Sequence, residues 1–202
     1  MTGSKLIHVQ RGNEIYAAGE EAAALYKVCS GAVILFMILE DGRRQIIDLA
    51  GPGDLLHFDL DGELDHFAEA LTETELAVFD GASALGDPDF LPFFLEQTRA
   101  RLAMDRRHIT MLGRKTAQER LADFLECVSE CLGSAPGEID LPMTRQQIAD
   151  YLGLTLETVS RIFARWVREG RLVQVAPGQY ELPGYGLNRV GAAIKVSALL
   201  AA

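Results

Sequence analysis

The sequence feature that most constrains the fold of this chain is a pair of short amphipathic segments, joined by a glycine, within residues 141–172. Thr144 is followed three residues later by Gln147, which is the spacing of a capping box and predicts the start of a helix. Gly153 can adopt the left-handed conformation that ends a helix, and Thr155 suits the N-cap of a second, longer one. The stretch therefore predicts two helices with a tight turn between them.

The second of these helices has two different faces. Its apolar residues recur at the i, i+3, i+4, i+7 spacing of a buried face: Val159, Ile162, Phe163, Trp166 and Val167. Its other face is acidic in the first turn, then small, then basic: Glu157, Ser160, Arg161, Ala164, Arg165 and Arg168. A small and basic face of this kind is typical of a helix that enters the major groove of DNA.

The polar face predicts specific contacts with bases. Arg161 can donate two hydrogen bonds to guanine, Glu157 can accept one from cytosine, and Ser160 is short enough to reach a thymine or adenine edge. The predicted phosphate contacts, which would fix the register, are Thr144, Arg145, Gln146, Thr155, Thr158 and Arg165. The alternative is a solvated face with a Glu157–Arg161 ion pair, worth a few tenths of a kcal/mol. Agreement between caps, turn and polar face favours DNA binding.

The segment from Met143 to Leu172, MTRQQIADYLGLTLETVSRIFARWVREGRL, resembles the helix-turn-helix of the Crp/Fnr superfamily of bacterial transcription regulators. The arrangement of Glu157, Ser160 and Arg161 is similar to that of the Fnr and FixK branches. A second stretch, MLGRKTAQERLADFL from Met111 to Leu125, resembles the FixK group. The resemblance implies a homodimer that binds inverted repeats of TTGAT-type half-sites in double-stranded DNA. It also implies activation of transcription through contact with RNA polymerase.

The N-terminal part predicts a β domain. Four runs rich in apolar and β-branched residues lie between glycine turns and predict short strands: 25–29, 33–39, 44–49 and 67–79. Many short strands suggest a sandwich or jelly roll. The resemblance implies a double-stranded β-helix, the sensor domain of the superfamily, over residues 1–88.

Residues 89–111 predict a long helix. Apolar residues at heptad-related positions form a mixed seam: Leu95, Leu102, Ile109 and Leu112. The need to span two half-sites and the resemblance favour dimerisation through this seam, and burial within its own domain is the alternative. Gly113 is expected to break the pattern before the next helix at 116–132.

A linker at 133–137 then leads into the DNA-binding module, and residues 173–182 predict a wing hairpin. The predicted fold class is α+β: a β-roll sensor domain (1–88), dimerisation and connecting helices (89–132), and a winged helix-turn-helix domain (133–202).

The net charge of the whole chain, −10, argues against binding to nucleic acid, but the charge of its separate regions does not. Residues 1–88 hold 5 basic and 16 acidic side chains, and residues 89–138 hold 7 and 8. Residues 139–202 hold 7 basic and 5 acidic side chains, so the predicted DNA-binding module has a net charge of +2. The acidity belongs to the N-terminal domain, and the arginines cluster on one helix.

No effector is predicted from the residues. A cyclic-nucleotide pocket needs a cation for the phosphate, but the stretch Gly53–Glu73 contains no arginine or lysine. An iron–sulfur cluster needs four cysteines, and this chain has three. The alternative is a ligand- or haem-binding signalling module whose DNA binding depends on an unidentified effector. Haem is one such effector, since some regulators of the superfamily bind it and His57 and His66 lie in the sensor domain.

The three cysteines also leave two interpretations open. Cys29 is expected to be a small core residue in a strand, and Cys127 and Cys131 are expected to pack along a helix. Thiol metal binding or redox switching is the alternative.

Three remaining features bear on function class and location. No apolar run has the length of a membrane span and the N-terminus lacks a signal-peptide layout, which predicts a cytoplasmic protein. No catalytic triad, metal-ligand or phosphate-loop spacing is present, so an enzyme is not expected. The last residues, Leu-Leu-Ala-Ala, resemble the terminus that bacterial AAA+ proteases recognise. Ala201 and Ala202 are therefore predicted to form part of a degradation signal.

Overall fold

The computed structural model describes residues 4–84, 87–135 and 137–183. Its fold is α+β, as predicted. The chain separates into two compact units, residues 1–107 and 108–202. No helix in the described part of the chain is long and apolar enough to cross a membrane.

The described residues of the first unit form seven strands in two antiparallel sheets. The strands are β1 (Lys5–Val9), β2 (Glu14–Tyr16), β3 (Ala24–Ser30), β4 (Val33–Ile38), β5 (Arg44–Ala50), β6 (Phe67–Ala70) and β7 (Thr74–Asp80). One sheet has the order β1-β7-β3 and the other has the order β2-β6-β4-β5. This is the two-sheet β architecture that the sequence predicts.

Burial explains why β4 is so apolar. It lies between β5 and β6, and its residues 33–36 are all buried, so both of its faces are covered. Tyr16, Leu56 and Leu76 belong to the same core. At the β3–β4 turn, Gly31 has φ +85°, and a Cβ there would lie 2.3 Å from the carbonyl oxygen of Glu73. Only glycine fits this turn.

Two sequence-based expectations for this unit are wrong. The run 67–79 is two strands rather than one, because the chain turns at Leu71, whose N–H donates to Ala32 O at 2.8 Å. Cys29 lies in β3, as predicted, but is exposed. The pairing of β3 with β7 shifts register between Val28 and Ser30, and this bulge takes Cys29 out of the core-facing alternation.

The helices follow the sheets. They are α1 (Gly81–Ala84), α2 (Phe90–Arg114), α3 (Ala117–Leu132), α4 (Arg145–Leu152) and α5 (Leu156–Arg168). Gly113 does not break α2, because a glycine inside a helix costs only about 1 kcal/mol. Thr116 and Glu119 form a capping box at the start of α3, and Gly133 ends that helix with φ +63°.

The second unit ends in a small antiparallel sheet. Its strands are β8 (Glu138–Asp140), β9 (Val173–Ala176) and β10 (Gln179–Glu181), in the order β8-β10-β9. The predicted wing hairpin is confirmed as β9 and β10. The third strand, β8, was not predicted from the sequence.

Candidate nucleic-acid interface

The start and the end of α4 are set by the residues that the sequence indicates. The Thr144 hydroxyl accepts from the Gln147 N–H at 3.1 Å, and Gln147 Oε1 accepts from the Thr144 N–H at 2.8 Å. Gly153 ends the helix with φ +60° and donates its N–H to Ala149 O. These local bonds fix the turn from which α5 begins.

Helix α5 is held by its N-cap and by one buried face. The Thr155 hydroxyl accepts from the Thr158 N–H at 3.2 Å. The buried residues are Val159, Ile162, Phe163 and Trp166. Val167 was expected among them but is 39% exposed, since it lies about a quarter turn from the middle of this face. The packing leaves the polar face of α5 toward solvent.

The three predicted base-contacting residues share that solvent face. The side chains of Glu157 and Arg161 are 70% and 76% exposed, and Ser160 is half-buried between them. Arg161 Nη2 lies 2.5 Å from Glu157 Oε1. Such an i,i+4 pair is worth only a few tenths of a kcal/mol, whereas a bidentate contact with guanine is worth about 1–3 kcal/mol. The ion pair therefore leaves Arg161 able to exchange Glu157 for a base.

The predicted phosphate contacts lie around this face and already have local partners. Gln146 Nε2 donates to Asp150 Oδ1 at 2.6 Å, and the hydroxyls of Thr155 and Thr158 are 2.9 Å apart. Arg165 Nε lies 3.9 Å from Glu169 Oε1. The Thr144 hydroxyl serves the cap of α4.

Arg145 has a structural role that the sequence did not indicate. Its guanidinium lies over the Phe163 ring, 3.3 Å from the centroid, and donates to the Tyr180 hydroxyl. Burial lowers the pKa of this guanidinium from its ordinary value. Arg145 thus joins α4, α5 and β10, and its phosphate contact stays a prediction. The contact of Arg145 with Phe163 and Tyr180 depends on where the fold places the two rings, so the sequence alone could not reveal it.

A groove of about 630 Å³ runs between the basic face of α5 and the start of α3. Its polar lining consists of Thr116, Gln118, Thr158, Arg161, Arg165 and Arg168. Free backbone N–H groups at a helix start favour anions, so this groove can accept a phosphate. Sequence reasoning predicted a helix over residues 116–132 but identified neither the cap at Thr116 nor its position beside α5.

The stretch Gly53–Glu73 in the first unit does not fit a cyclic phosphate. Asp54 Oδ2 accepts from the Gly51 N–H at 2.9 Å, and burial raises the pKa of its carboxyl. The nearby cation Arg44 lies 3.5 Å from Glu69 within an ion pair. An anionic ligand would meet carboxylates here rather than a free guanidinium.

The two histidines that could serve haem are buried and bonded to protein atoms. His57 Nε2 lies 2.8 Å from Ala24 O, and burial lowers the pKa of its imidazole. His66 lies 2.6 Å from Asp65 Oδ1 through Nδ1 and 2.7 Å from the Tyr16 hydroxyl through Nε2. At His66 a haem iron would have to displace these partners, whereas Nδ1 of His57 is buried and forms no hydrogen bond.

Among the described residues, no group of three or more His, Cys, Asp or Glu side chains is arranged to hold a metal ion. Cys127 and Cys131 are half-buried on α3.

The seam predicted for dimerisation faces solvent in the single chain. Leu95, Leu102 and Ile109 are 53%, 49% and 70% exposed, and Leu112 is half-buried. Leu91 lies four residues before Leu95, is 56% exposed and extends the seam, although the predicted seam did not include it. The predicted degradation signal, Ala201 and Ala202, lies outside the described residues.

Comparison with known sequences supports both halves of this description. Residues 119–182 match the Crp-like helix-turn-helix domain, and residues 6–85 match the cyclic nucleotide-binding domain. The nitrogen fixation regulation protein FixK of Rhizobium meliloti is 40% identical over 166 residues, which are 82% of this chain and 77% of FixK. The fumarate and nitrate reduction regulatory protein of Escherichia coli K12 is 35% identical over 174 residues, 81% of this chain and 69% of that protein.

Comparison with solved structures indicates the same family as the sequence comparison. FixK2 from Bradyrhizobium japonicum superposes with a TM-score of 0.83 at 33% identity, covering 94% of this chain and 100% of that one.

Proposed function

The chain belongs to the Crp/Fnr family of DNA-binding transcription regulators, and from this premise we propose that it binds inverted repeats of TTGAT-type half-sites as a homodimer without a bound effector. The observation that carries the proposal is the exposed arrangement of Glu157, Ser160 and Arg161 on α5, beside a groove that can accept phosphate. Regulators of this family bind DNA and act as dimers, and the exposed seam on α2 suits that assembly.

Independence from an effector is supported by the first unit. The stretch Gly53–Glu73 offers carboxylates where a cyclic phosphate needs a cation, and His57 and His66 are bonded inside the fold. We further propose that the DNA-bound dimer activates transcription by contact with RNA polymerase. This last step rests on family likeness alone.

Fluorescence anisotropy with purified apo-protein tests the proposal. We expect the protein to bind a duplex with two TTGAT half-sites, centred one helical turn apart, at least ~10³-fold more tightly than a scrambled duplex. An absorption spectrum of protein purified without oxygen checks for haem and iron–sulfur bands, which we expect to be absent. Added cyclic AMP should leave the affinity unchanged.

Three results would contradict the proposal. Equal binding to both duplexes would remove the predicted specificity. A large rise in affinity on addition of cyclic AMP would show that the sensor domain needs that ligand. A Soret band would favour the alternative of a haem-dependent regulator.

A further inference from the structure

Arg120, in the first turn of α3, lies where three carbonyl groups of the second unit converge. Its Nε donates to Lys115 O at 3.0 Å, its Nη1 to Leu152 O at 2.9 Å, and its Nη2 to Leu112 O at 2.7 Å. Leu112 lies in the last turn of α2, Lys115 just beyond it, and Leu152 is the last residue of α4. One side chain therefore bonds the ends of two helices from a third.

The chemistry of helix ends explains this position. The last carbonyls of a helix have no partner within it and carry partial negative charge. Leu112 and Leu152 both belong to such helix ends, so a cation that lies between their carbonyl groups is stabilised by both helices. The planar guanidinium of Arg120 has donors that point in three directions, whereas a lysine ammonium is a point charge on a flexible chain.

A second contact holds α4 on the same side. His108 Nε2 donates to Tyr151 O at 3.1 Å, and the two rings lie 4.3 Å apart. Tyr151 and Leu152 are the last two residues before Gly153, the turn that sets the direction of α5. A Cβ on Gly153 would lie 3.5 Å from Leu112 Cδ2 and 3.7 Å from Arg120 Nη1, so the end of α2 packs directly on this turn.

We propose that Arg120 is a positioning residue for DNA recognition, which fixes α5 relative to the end of α2 and thereby sets the spacing of the half-sites that a dimer accepts. The inference rests on the proposed function, because spacing has meaning only for a dimer on an inverted repeat. Arg120 acts through the turn at Gly153 and needs no contact with a base.

DNA geometry makes this role measurable. One added base pair moves a half-site by about 3.4 Å along the axis and turns it by roughly 35°. Recognition helices that are held rigidly cannot follow such a displacement. Helices on a loosened turn can follow it, and selectivity for spacing then falls.

The experiment compares the full-length wild type with Arg120→Gln on three duplexes. One has TTGAT half-sites centred one helical turn apart, and the others are shortened or lengthened by one base pair. We expect the ratio of affinities between the best and the altered spacings to fall by about threefold to tenfold in Arg120→Gln, a size usual for loss of coupling. Arg120→Lys should give an intermediate ratio.

Arg114→Gln is the matched control. It removes the same charge from an exposed position at the end of α2, the helix whose last turn Arg120 contacts from α3. We expect it to weaken binding to all three duplexes alike and to leave the ratio unchanged. Thermal unfolding of each variant separates loss of fold from loss of positioning.

Each outcome decides the inference. A fall in the ratio for Arg120→Gln alone supports it, and a uniform loss at all spacings overturns it. If Arg120→Gln does not fold, Arg120→Lys decides in its place, and a wild-type ratio in that variant overturns the inference. If the wild type fails to distinguish TTGAT from scrambled DNA, the proposed function fails and this inference falls with it.

Discussion

Arg161 and Arg165 lie one turn apart on α5, but their surroundings differ. The Arg161 side chain is 76% exposed, forms an ion pair with Glu157 and also lines the groove beside α3. The Arg165 side chain is 38% exposed, its Nε is buried, and it lines the groove beside α3. At the scale of single residues, we propose that the first contacts a base edge and the second a phosphate.

We therefore expect two different losses on truncation. Arg161→Ala should abolish the preference for the guanine of TTGAT, costing about 1–3 kcal/mol per half-site. Arg165→Ala should weaken binding to all duplexes and reduce the slope of log affinity against log salt by roughly one. Anisotropy titrations with the guanine kept or replaced by adenine, at several salt concentrations, measure both effects. Equal losses on specific and scrambled DNA in both variants would contradict the assignment of Arg161.

Acid should destabilise the first unit through His57. The imidazole is buried, desolvation lowers its pKa, and the groups facing it are Tyr16, Tyr26, His66 and Asp59. Below about pH 6.5 the unfolded chain takes up a proton at this residue while the folded chain does not. Stability is therefore complete above that pH and falls as pH decreases toward the lowered pKa.

The matching variant is His57→Gln, which keeps a donor for Ala24 O and cannot titrate. Between pH 7.5 and pH 5.5, the free energy of unfolding measured with urea should fall more for the wild type than for the variant, by at most about 1.3 kcal/mol. His8→Gln, which removes an imidazole whose side chain is 80% exposed, serves as the control. Identical pH profiles for wild type and His57→Gln would show that another group causes the acid sensitivity.

At the scale of elements, features governed by neighbouring residues could be predicted from the sequence. The caps at Thr144 and Thr155 and the stop at Gly153 predicted the start and end of α4 and the start of α5, because capping is a local interaction. Contacts between elements could not be predicted. The stack of Arg145 on Phe163 depends on how α4 and α5 cross, which no spacing in the sequence gives.

The seam on α2 leads to a prediction about assembly. Leu102 is 49% exposed, so a charge there costs the single chain little, but in a dimer it would face its own copy across the seam. Leu102→Glu should weaken self-association by at least thirtyfold, about 2 kcal/mol, as measured by analytical ultracentrifugation. Binding to the inverted repeat should fall with it.

Ala100→Glu is the control for this prediction, because Ala100 is exposed on the opposite side of the same helix. It introduces the same charge and should leave the dimer intact. A Leu102→Glu protein that still sediments as a dimer would place the interface elsewhere.

At the scale of the whole molecule, charge is divided as the sequence indicates. Residues 1–88 carry a net −11 and residues 139–202 a net +2, so an anionic polymer is attracted to the module that bears α5 and repelled by the strands. Composition and resemblance were enough to predict this layout. They could not show that residues 67–79 divide between the two sheets or that Cys29 is exposed, since both depend on the pairing of strands distant in the sequence.

The ion pair between Glu157 and Arg161 has a consequence for how quickly a target is found. A regulator slides along DNA that is almost entirely of the wrong sequence. An arginine without an ion-pair partner on the exposed face of α5 would slow this movement at every guanine. Because Glu157 lies 2.5 Å from Arg161 and balances its charge, this part of α5 is close to neutral while the protein slides along DNA. Breaking the ion pair costs only a few tenths of a kcal/mol, so in the proposed complex it opens wherever both hydrogen bonds to guanine can form. On that proposal, the same two side chains allow both rapid sliding and firm binding at the matching site.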